Sequence, residues 1–276
     1  MWFFLSAVGS IALAVAAVWY RTNANMFEGS VRPGEEYRVG DRVYKMPNLP
    51  IVDSRGNSLS ALPLIAPEYQ ERMRTLLQKV ISVLRRRNIE HFVSGGTLLG
   101  MIRHGTFHPA DDDEDGHLVH WKDREYVWSQ QFVDDCAEEG LEVFHLRWGS
   151  LKRAPKFGNS TGMRCRLKGL ASPTFDLFFE KEVTLGTLAK IESWNGDEVE
   201  VNPREIWSKS DVLPIQWKTI DGMEVPLPAN PERLLKTQYG KDCLEVVRFD
   251  GVWWVHAFFF KVLRPIWKFL PSSHEK

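Results

Sequence analysis

Apolar side chains along this sequence first settle into a period between residues 67 and 88. Met73, Leu76, Leu77, Val80, Ile81 and Leu84 recur three and four apart, the stripe of an amphipathic helix, and Pro67 suits its first turn. After the basic run Arg85-Arg86-Arg87 the pattern shortens. His91-Phe92-Val93-Ser94 predicts a short strand ending in Gly95-Gly96, where a tight turn feeds a helix that begins near Thr97 and stops before Gly105. Residues 113–119 predict a strand, 123–138 a helix, and Leu141–Trp148, Met163–Lys168 and Thr174–Phe179 further strands. With no internal repeat visible, the expected class is α/β, a mixture of helices and strands around a small sheet.

The two ends carry different patterns. Trp2 to Tyr20 is a run without a charge, about long enough to cross a bilayer as a helix, with Trp2 and Trp19-Tyr20 at its ends where aromatic rings prefer the headgroup layer. Residues 1–21 are therefore expected to be a single-pass anchor; Ala14-Val15-Ala16 leaves a cleaved signal peptide as the other reading. Every basic residue near this run follows it (Arg21, Arg32, Arg38, Arg42, Lys45), which by the positive-inside rule keeps the main domain cytoplasmic. From Gly29 to Pro67 five prolines and four glycines interrupt any period, so 22–66 reads as an irregular stem and 67–250 as the main domain. Residues 251–276 combine aromatics with His256, Lys261, Arg264 and Lys268. That is a poor spanning helix, and either an interfacial helix or a segment packed on the domain.

Composition narrows the classes. At 276 residues and 43% hydrophobic the chain can fill one core, and 35 basic against 36 acidic residues leave no field to hold it on nucleic acid. Cys136, Cys165 and Cys243 form no CxxC pair, which argues against a structural zinc site.

The near-neutral total hides segregated charge. Asp111-Asp112-Asp113-Glu114-Asp115 enters a predicted strand, and alternation lets Asp111, Asp113 and Asp115 project together while Asp112 and Glu114 point the other way. Three carboxylates on one face repel unless a cation joins them, and hard oxygen donors suit Mg²⁺ or Mn²⁺. A solvated acidic run is the plainer reading of the same residues. A calcium loop of the EF-hand type fits at Asp111, Asp113, Asp115 and Gly116 but has Lys122 where a bidentate Glu belongs. His104, His108, His117 and His120 have tolerable spacing for zinc but no signature. Asp176, in the apolar run Phe175–Phe179, is costly to bury alone, and its strand could lie beside that of Asp113 and Asp115. Between Val143 and Phe175 there is no acid, while Arg147, Lys152, Arg153, Lys156, Arg164, Arg166 and Lys168 supply positive charge. This stretch suits substrate phosphates beside a metal, a membrane surface, or a solvated loop.

The segment SGGTLLGMIRHGTFHPADDDEDGHL, residues 94–118, resembles the signature of the LicD/fukutin family, GTLLGxxRxGxxIPWDDDxDh. Downstream, FDLFF at 175–179 is similar to that family's apolar strand carrying a further Asp. Val225-Pro226 and Leu234 to Asp242 are similar to its closing motif. The resemblance spans roughly residues 67–245. It implies a nucleotidyltransferase-like small mixed sheet flanked by helices, and transfer of a phospho-alcohol such as phosphocholine or ribitol phosphate from a CDP-linked donor to a glycan hydroxyl, releasing CMP. It also implies metal coordination by Asp113, Asp115 and Asp176, with Asp111 matching the first Asp of the run. Gly95, Gly96 and Thr97 match the turn that faces the phosphates, and Arg103 the family's Arg. Arg164, Arg166 and Lys168 are expected to assist at the phosphates, and Asp176 to take the acceptor proton. Ala110 and Glu114 depart from the family's Trp and hydrophobic residue, which bears on donor fit. The resemblance further implies an endoplasmic reticulum or Golgi membrane, opposite to the positive-inside reading; the sequon Asn159-Ser160-Thr161 has meaning only in a lumen. Two other readings stay open: a metal-dependent glycosyltransferase using a nucleotide sugar, and a non-catalytic membrane-anchored metal-binding homologue.

Overall fold

A computed structural model describes residues 27–146, 161–195 and 198–249. Its first strands are β1 (Phe27–Val31), β2 (Glu36–Val39), β3 (Arg42–Lys45), β4 (Ile51–Asp53), β5 (Ser58–Leu59) and β6 (Leu62–Ile65). All lie in the segment expected to be an irregular stem, and they correct that expectation. Strands this short, set between proline and glycine turns, show no readable period; what fixes them is packing. Val31, Tyr37, Val39, Met46, Ile51 and Leu62 bury together with Val247 and Phe249 from the far end of the described chain.

Then follow α1 (Pro67–Arg86), β7 (His91–Val93), α2 (Gly95–Arg103) and β8 (Glu114–Leu118). A single 3₁₀ turn (Trp121–Asp123) leads into α3 (Arg124–Val127) and α4 (Gln130–Glu138), where one helix was expected. The break is local chemistry: the Ser129 hydroxyl accepts from the Phe132 amide at 3.3 Å and caps α4. Strands β9 (Leu141–Leu146), β10 (Gly162–Leu167), β11 (Thr174–Thr184), β12 (Thr187–Asn195) and β13 (Glu198–Ser208) come next. Last are α5 (Lys209–Val212), β14 (Gln216–Ile220), β15 (Met223–Leu227), α6 (Pro231–Tyr239) and β16 (Val247–Phe249).

The central mixed sheet runs β13-β12-β11-β10-β9, with β8 pairing parallel to the first half of β11 and antiparallel to β7. The predicted stripe of α1 is buried over it, with Met73, Leu76, Leu77, Val80, Ile81 and Leu84 all in the main core beside Phe92, Phe132, Phe175 and Phe179. β16 pairs parallel with β4, which ties the lead-in strands to the end of the chain. The expected anchor, residues 1–21, and the aromatic-basic tail, residues 251–276, lie outside the described residues. Among the described residues no helix is long and apolar enough to cross a membrane.

One polar tie holds α4 against the end of α1. The Asp135 carboxylate accepts from Arg87 Nε (2.7 Å) and Nη2 (2.9 Å), from the Tyr126 hydroxyl (2.7 Å) and from Gln131 Nε2 (2.8 Å). Hydrogen bonds from Arg87 and Tyr126 hold the Asp135 carboxyl well below the ordinary range. Asp135→Ala strips all four donors of their acceptor and is expected to cost about 2 kcal/mol in urea denaturation at neutral pH. The difference from wild type should shrink at strongly acid pH, where the carboxyl that gives the stabilisation becomes protonated.

Candidate metal and phosphate site

Three strands abreast build the site. In the parallel pair, Asp115 of β8 stands opposite Asp176 of β11, and in the neighbouring antiparallel pair Asp176 stands opposite Arg164 of β10. Residues directly opposite share a face, so the register alone puts Arg164, Asp176 and Asp115 in one row. Asp113 precedes β8, and carboxylate oxygens of Asp113, Asp115 and Asp176 all lie within 4.8 Å of one another. Asp111, Asp112 and Asp113 form a second such group in the loop before the strand.

The Gly95-Gly96 turn is shaped to these acids. Gly95 has φ +57°, in the left-handed region, and a Cβ there would fall on Asp115 Oδ2, while a Cβ on Gly96 would fall on Asp111 Oδ2. Thr97, expected at the phosphates, instead accepts a hydrogen bond from the Asp115 backbone amide on its hydroxyl at 2.9 Å, while the Ser94 amide donates to the Asp115 carbonyl at 3.0 Å. The turn therefore holds the strand that carries Asp115. Gly95→Ala is expected to weaken Mn²⁺ binding by about tenfold or more, as read by calorimetry, because backbone strain and loss of space act on the same carboxylate.

Burial, and then the neighbouring carboxylates, push Asp115 and Asp111 well above the ordinary carboxyl range and raise Asp113 to about 6. One cation, Arg164 on Asp176, does not balance these grouped carboxylates. Oxygen-only donors, closely grouped and with raised proton affinity, fit a hard divalent ion such as Mg²⁺ or Mn²⁺. Among the described residues no group that could hold a metal includes a histidine. His117 bonds Glu180, His120 bonds Glu90 at 2.6 Å, and half-buried His104 packs edge to face on buried His108, so the zinc spacing comes to nothing. The calcium-loop reading fails too, because residues 114–118 are strand.

The basic residues separate. Arg164 forks onto both oxygens of Asp176, through Nε at 2.5 Å and Nη2. Arg166 is committed to Glu142 Oε2 at 2.9 and 2.8 Å and lies over the Phe144 ring, and Lys168 is exposed with its amide bonded to the Gly140 carbonyl. Neither is brought to the carboxylates. Arg147, Lys152, Arg153 and Lys156, with the sequon Asn159-Ser160-Thr161 up to its last residue, lie outside the described residues. Arg103 turns to the end of the chain, donating from Nη1 to the carbonyls of Cys243 (2.8 Å) and Val246 (3.2 Å), and burial lowers it to about 10. Its Nη2 has no hydrogen-bond partner. Glu114, the departure from the family pattern, is fully buried with neither oxygen hydrogen-bonded, and burial, then the neighbouring Asp113, Asp111 and Asp115, push its carboxyl well above the ordinary range.

Beside Asp111 and Gly96 opens a cavity of roughly 690 Å³ that also takes in Arg103, Lys190, Arg204 and Tyr239. Lys190 and Arg204 were not singled out in the sequence. A lone Lys in β12 and an Arg in β13 carry no local signal, and only the sheet order brings them to the cavity.

The sequence matches the family described as LicD/FKTN/FKRP, nucleotidyltransferase domain, over residues 88–230, more than half of the chain. No curated protein matches it. Among solved structures, it is similar to the lincosamide antibiotic adenylyltransferase LnuA with lincomycin bound (10% identity, 60% of this chain and 91% of that one, TM-score 0.36). It is also similar to ANT(2")-Ia in complex with adenylyl-2"-tobramycin (13%, 56% and 67%, 0.33) and to the solution structure of the antibiotic-resistance factor ANT(2'')-Ia (14%, 72% and 97%, 0.37). At those scores the likeness assigns no residue a role. The family match covers the Gly-Gly turn, the acidic run and Asp176 together, and the chain belongs to the LicD/FKTN/FKRP nucleotidyltransferase-domain family.

Proposed function

We propose that this protein transfers a phospho-alcohol from a CDP-linked donor to a hydroxyl of a glycan, with release of CMP. The observation that supports this reading is the clustering of Asp113, Asp115 and Asp176 within 4.8 Å, inside the segment that the family match covers, with Asp111 and Asp112 of the same acidic run lining a cavity. Those three carboxylates would hold Mg²⁺ or Mn²⁺, with Asp111 at the cavity edge. The ion would supply charge neutralisation at the donor phosphates and a template for in-line displacement.

The chain's own residues do the rest. Gly95 and Gly96 leave room for two carboxylates against the backbone, and Thr97 fixes the strand that presents one of them. Arg164 donates to both oxygens of Asp176 and fixes where that carboxylate sits beside Asp113 and Asp115; we therefore give Asp176 the task of holding the ion rather than taking the acceptor proton. The donor phosphates occupy the cavity; the acceptor hydroxyl oxygen bonds to the alcohol-bearing phosphorus as that phosphorus gives up its bridging oxygen to CMP, and the hydroxyl proton passes to solvent water.

Offering the purified protein CDP-choline, CDP-ribitol, UDP-sugars and GDP-sugars with Mg²⁺ tests the reading through the nucleotide released. CMP from a CDP-alcohol is expected; UDP or GDP from a sugar donor would replace the reading with glycosyl transfer. We further propose that residues 1–21 anchor the protein in an endoplasmic reticulum or Golgi membrane. Release into the supernatant on carbonate extraction would contradict the anchor, and absence of a glycosidase-sensitive mass shift at Asn159 would count against a lumenal domain.

A further inference from the structure

The cavity that Asp111 and Asp112 line is also lined by Lys190 and Arg204. The Lys190 side chain is 12% exposed, its ammonium 2.9 Å from Glu205 and 3.7 Å from the centre of the Phe178 ring. Glu205 is itself buried, and two further donors converge on it: Asn202 Nδ2 at 2.7 Å on Oε2 and Gln238 Nε2 at 2.6 Å on Oε1. Donors from β12, β13 and α6 thus meet on one carboxylate, which fixes the ammonium at the cavity and uses one of its three N–H groups. Asn202 Oδ1 accepts the Arg204 amide at 3.0 Å and sets the backbone at Arg204, which lines the cavity. Among the described residues Arg204 is in no ion pair, whereas Arg248, on the same cavity, is paired with Asp242 at 2.5 Å.

A cavity lined by carboxylates and also by two cations, one of them held by a buried carboxylate and the other in no ion pair among the described residues, suits a ligand that is itself anionic. A neutral glycan hydroxyl has no need of those cations. A diphosphate does, because its negative oxygens face repulsion from Asp111 and Asp112 and a divalent ion offsets only part of it. We propose that Lys190 and Arg204 receive the phosphates of the nucleoside diphosphate donor, and that Glu205 is the positioning residue that holds Lys190. The inference rests on the phospho-alcohol transfer reading for the donor's identity, and on the cavity alone for its charge.

Calorimetric titration of the purified full chain at fixed Mg²⁺ with CDP, UDP, GDP and cytidine separates the two. CDP is expected to bind wild type and to bind Arg204→Ala about tenfold more weakly, the size of one charge-assisted hydrogen bond, while cytidine binding changes less than about twofold. Arg204→Lys is expected to recover only part of the loss, since a point charge replaces a planar fork. Lys190→Met and Glu205→Gln should likewise weaken CDP and spare cytidine; equal weakening of both ligands would make Glu205 merely structural and remove its positioning role. Equal CDP affinity of wild type and Arg204→Ala overturns the inference and leaves the transfer reading intact. Binding of UDP or GDP in place of CDP, with the same loss in Arg204→Ala, supports the inference and overturns the cytidine donor. Failure of wild type to bind any nucleoside diphosphate overturns both.

Discussion

Asp115→Asn is expected to lower transfer by on the order of 10³-fold or more while raising the melting temperature of the ion-free protein by a few degrees. The two effects have one cause. Asp115 stands in register with Asp176 and shares a 4.8 Å group with it and Asp113, so the ion-free fold crowds like charges in a buried place. A carboxyl raised above its ordinary value costs stability at neutral pH whether it repels as an anion or takes up a proton against the solvent. The amide keeps the shape and lacks that charge, so the ion-free fold gains, and it loses the ligand, so added Mg²⁺ should no longer stabilise it. Activity and thermal melts of wild type and variant, with and without Mg²⁺, check both halves. Retained turnover in Asp115→Asn, or an unchanged Mg²⁺-induced shift, would sink the metal assignment. Asp113→Asn should behave in the same way.

Asp221→Ala is expected to cost about 3–5 kcal/mol of stability, the loss typical of leaving one partner of a buried ion pair behind. Asp221 opens the Asp221-Gly222 turn between β14 and β15, both residues at positive φ, as a two-residue hairpin of this twist demands. Its carboxylate pairs with the buried Arg74 of α1 and accepts from the Thr106 hydroxyl at 2.7 Å and the Tyr44 hydroxyl at 2.8 Å. Arg42 reaches it at 3.3 Å from the lead-in strands, and the Asp221 carbonyl takes Arg74 Nη1 at 2.7 Å. One side chain therefore joins β3, α1 and the loop after α2. Asp221→Asn, which keeps the turn and loses the charge, should fall between wild type and Ala in urea denaturation. A loss below about 1 kcal/mol for the alanine variant would show that the junction is held by packing alone.

Asp221 also shows what sequence reading misses. The Asp-Gly pair between two alternating runs is a hairpin signal, but its partners lie far away in the chain, and nothing local marks an aspartate as the meeting point of three elements. The lead-in strands fail for a related reason: they are two to five residues long and owe their place to a core completed by Val247 and Phe249. What was legible is what local physics dictates. The stripe of α1, the Gly-Gly turn after β7 and the unusual Asp176 in an apolar strand each follow from periodicity or burial cost, and the pairing of β8 with β11 puts the acids side by side as that burial cost suggested. The basic stretch was legible as charge but not as contact. Arg164 went to Asp176 and Arg166 to Glu142, because each stands across the sheet from a carboxylate that only strand register reveals. Lys190 and Arg204, the cations that do line the cavity beside the acids, carried no pattern at all.

The most direct test of the account follows phosphorus. Wild-type protein with Mg²⁺, a CDP-alcohol and a glycan acceptor, observed by ³¹P NMR, is predicted to produce one glycan-bound phosphodiester for each CMP, and neither signal once the ion is chelated. A nucleoside diphosphate as the leaving group, or CMP and phosphodiester formed undiminished in chelator, would contradict it.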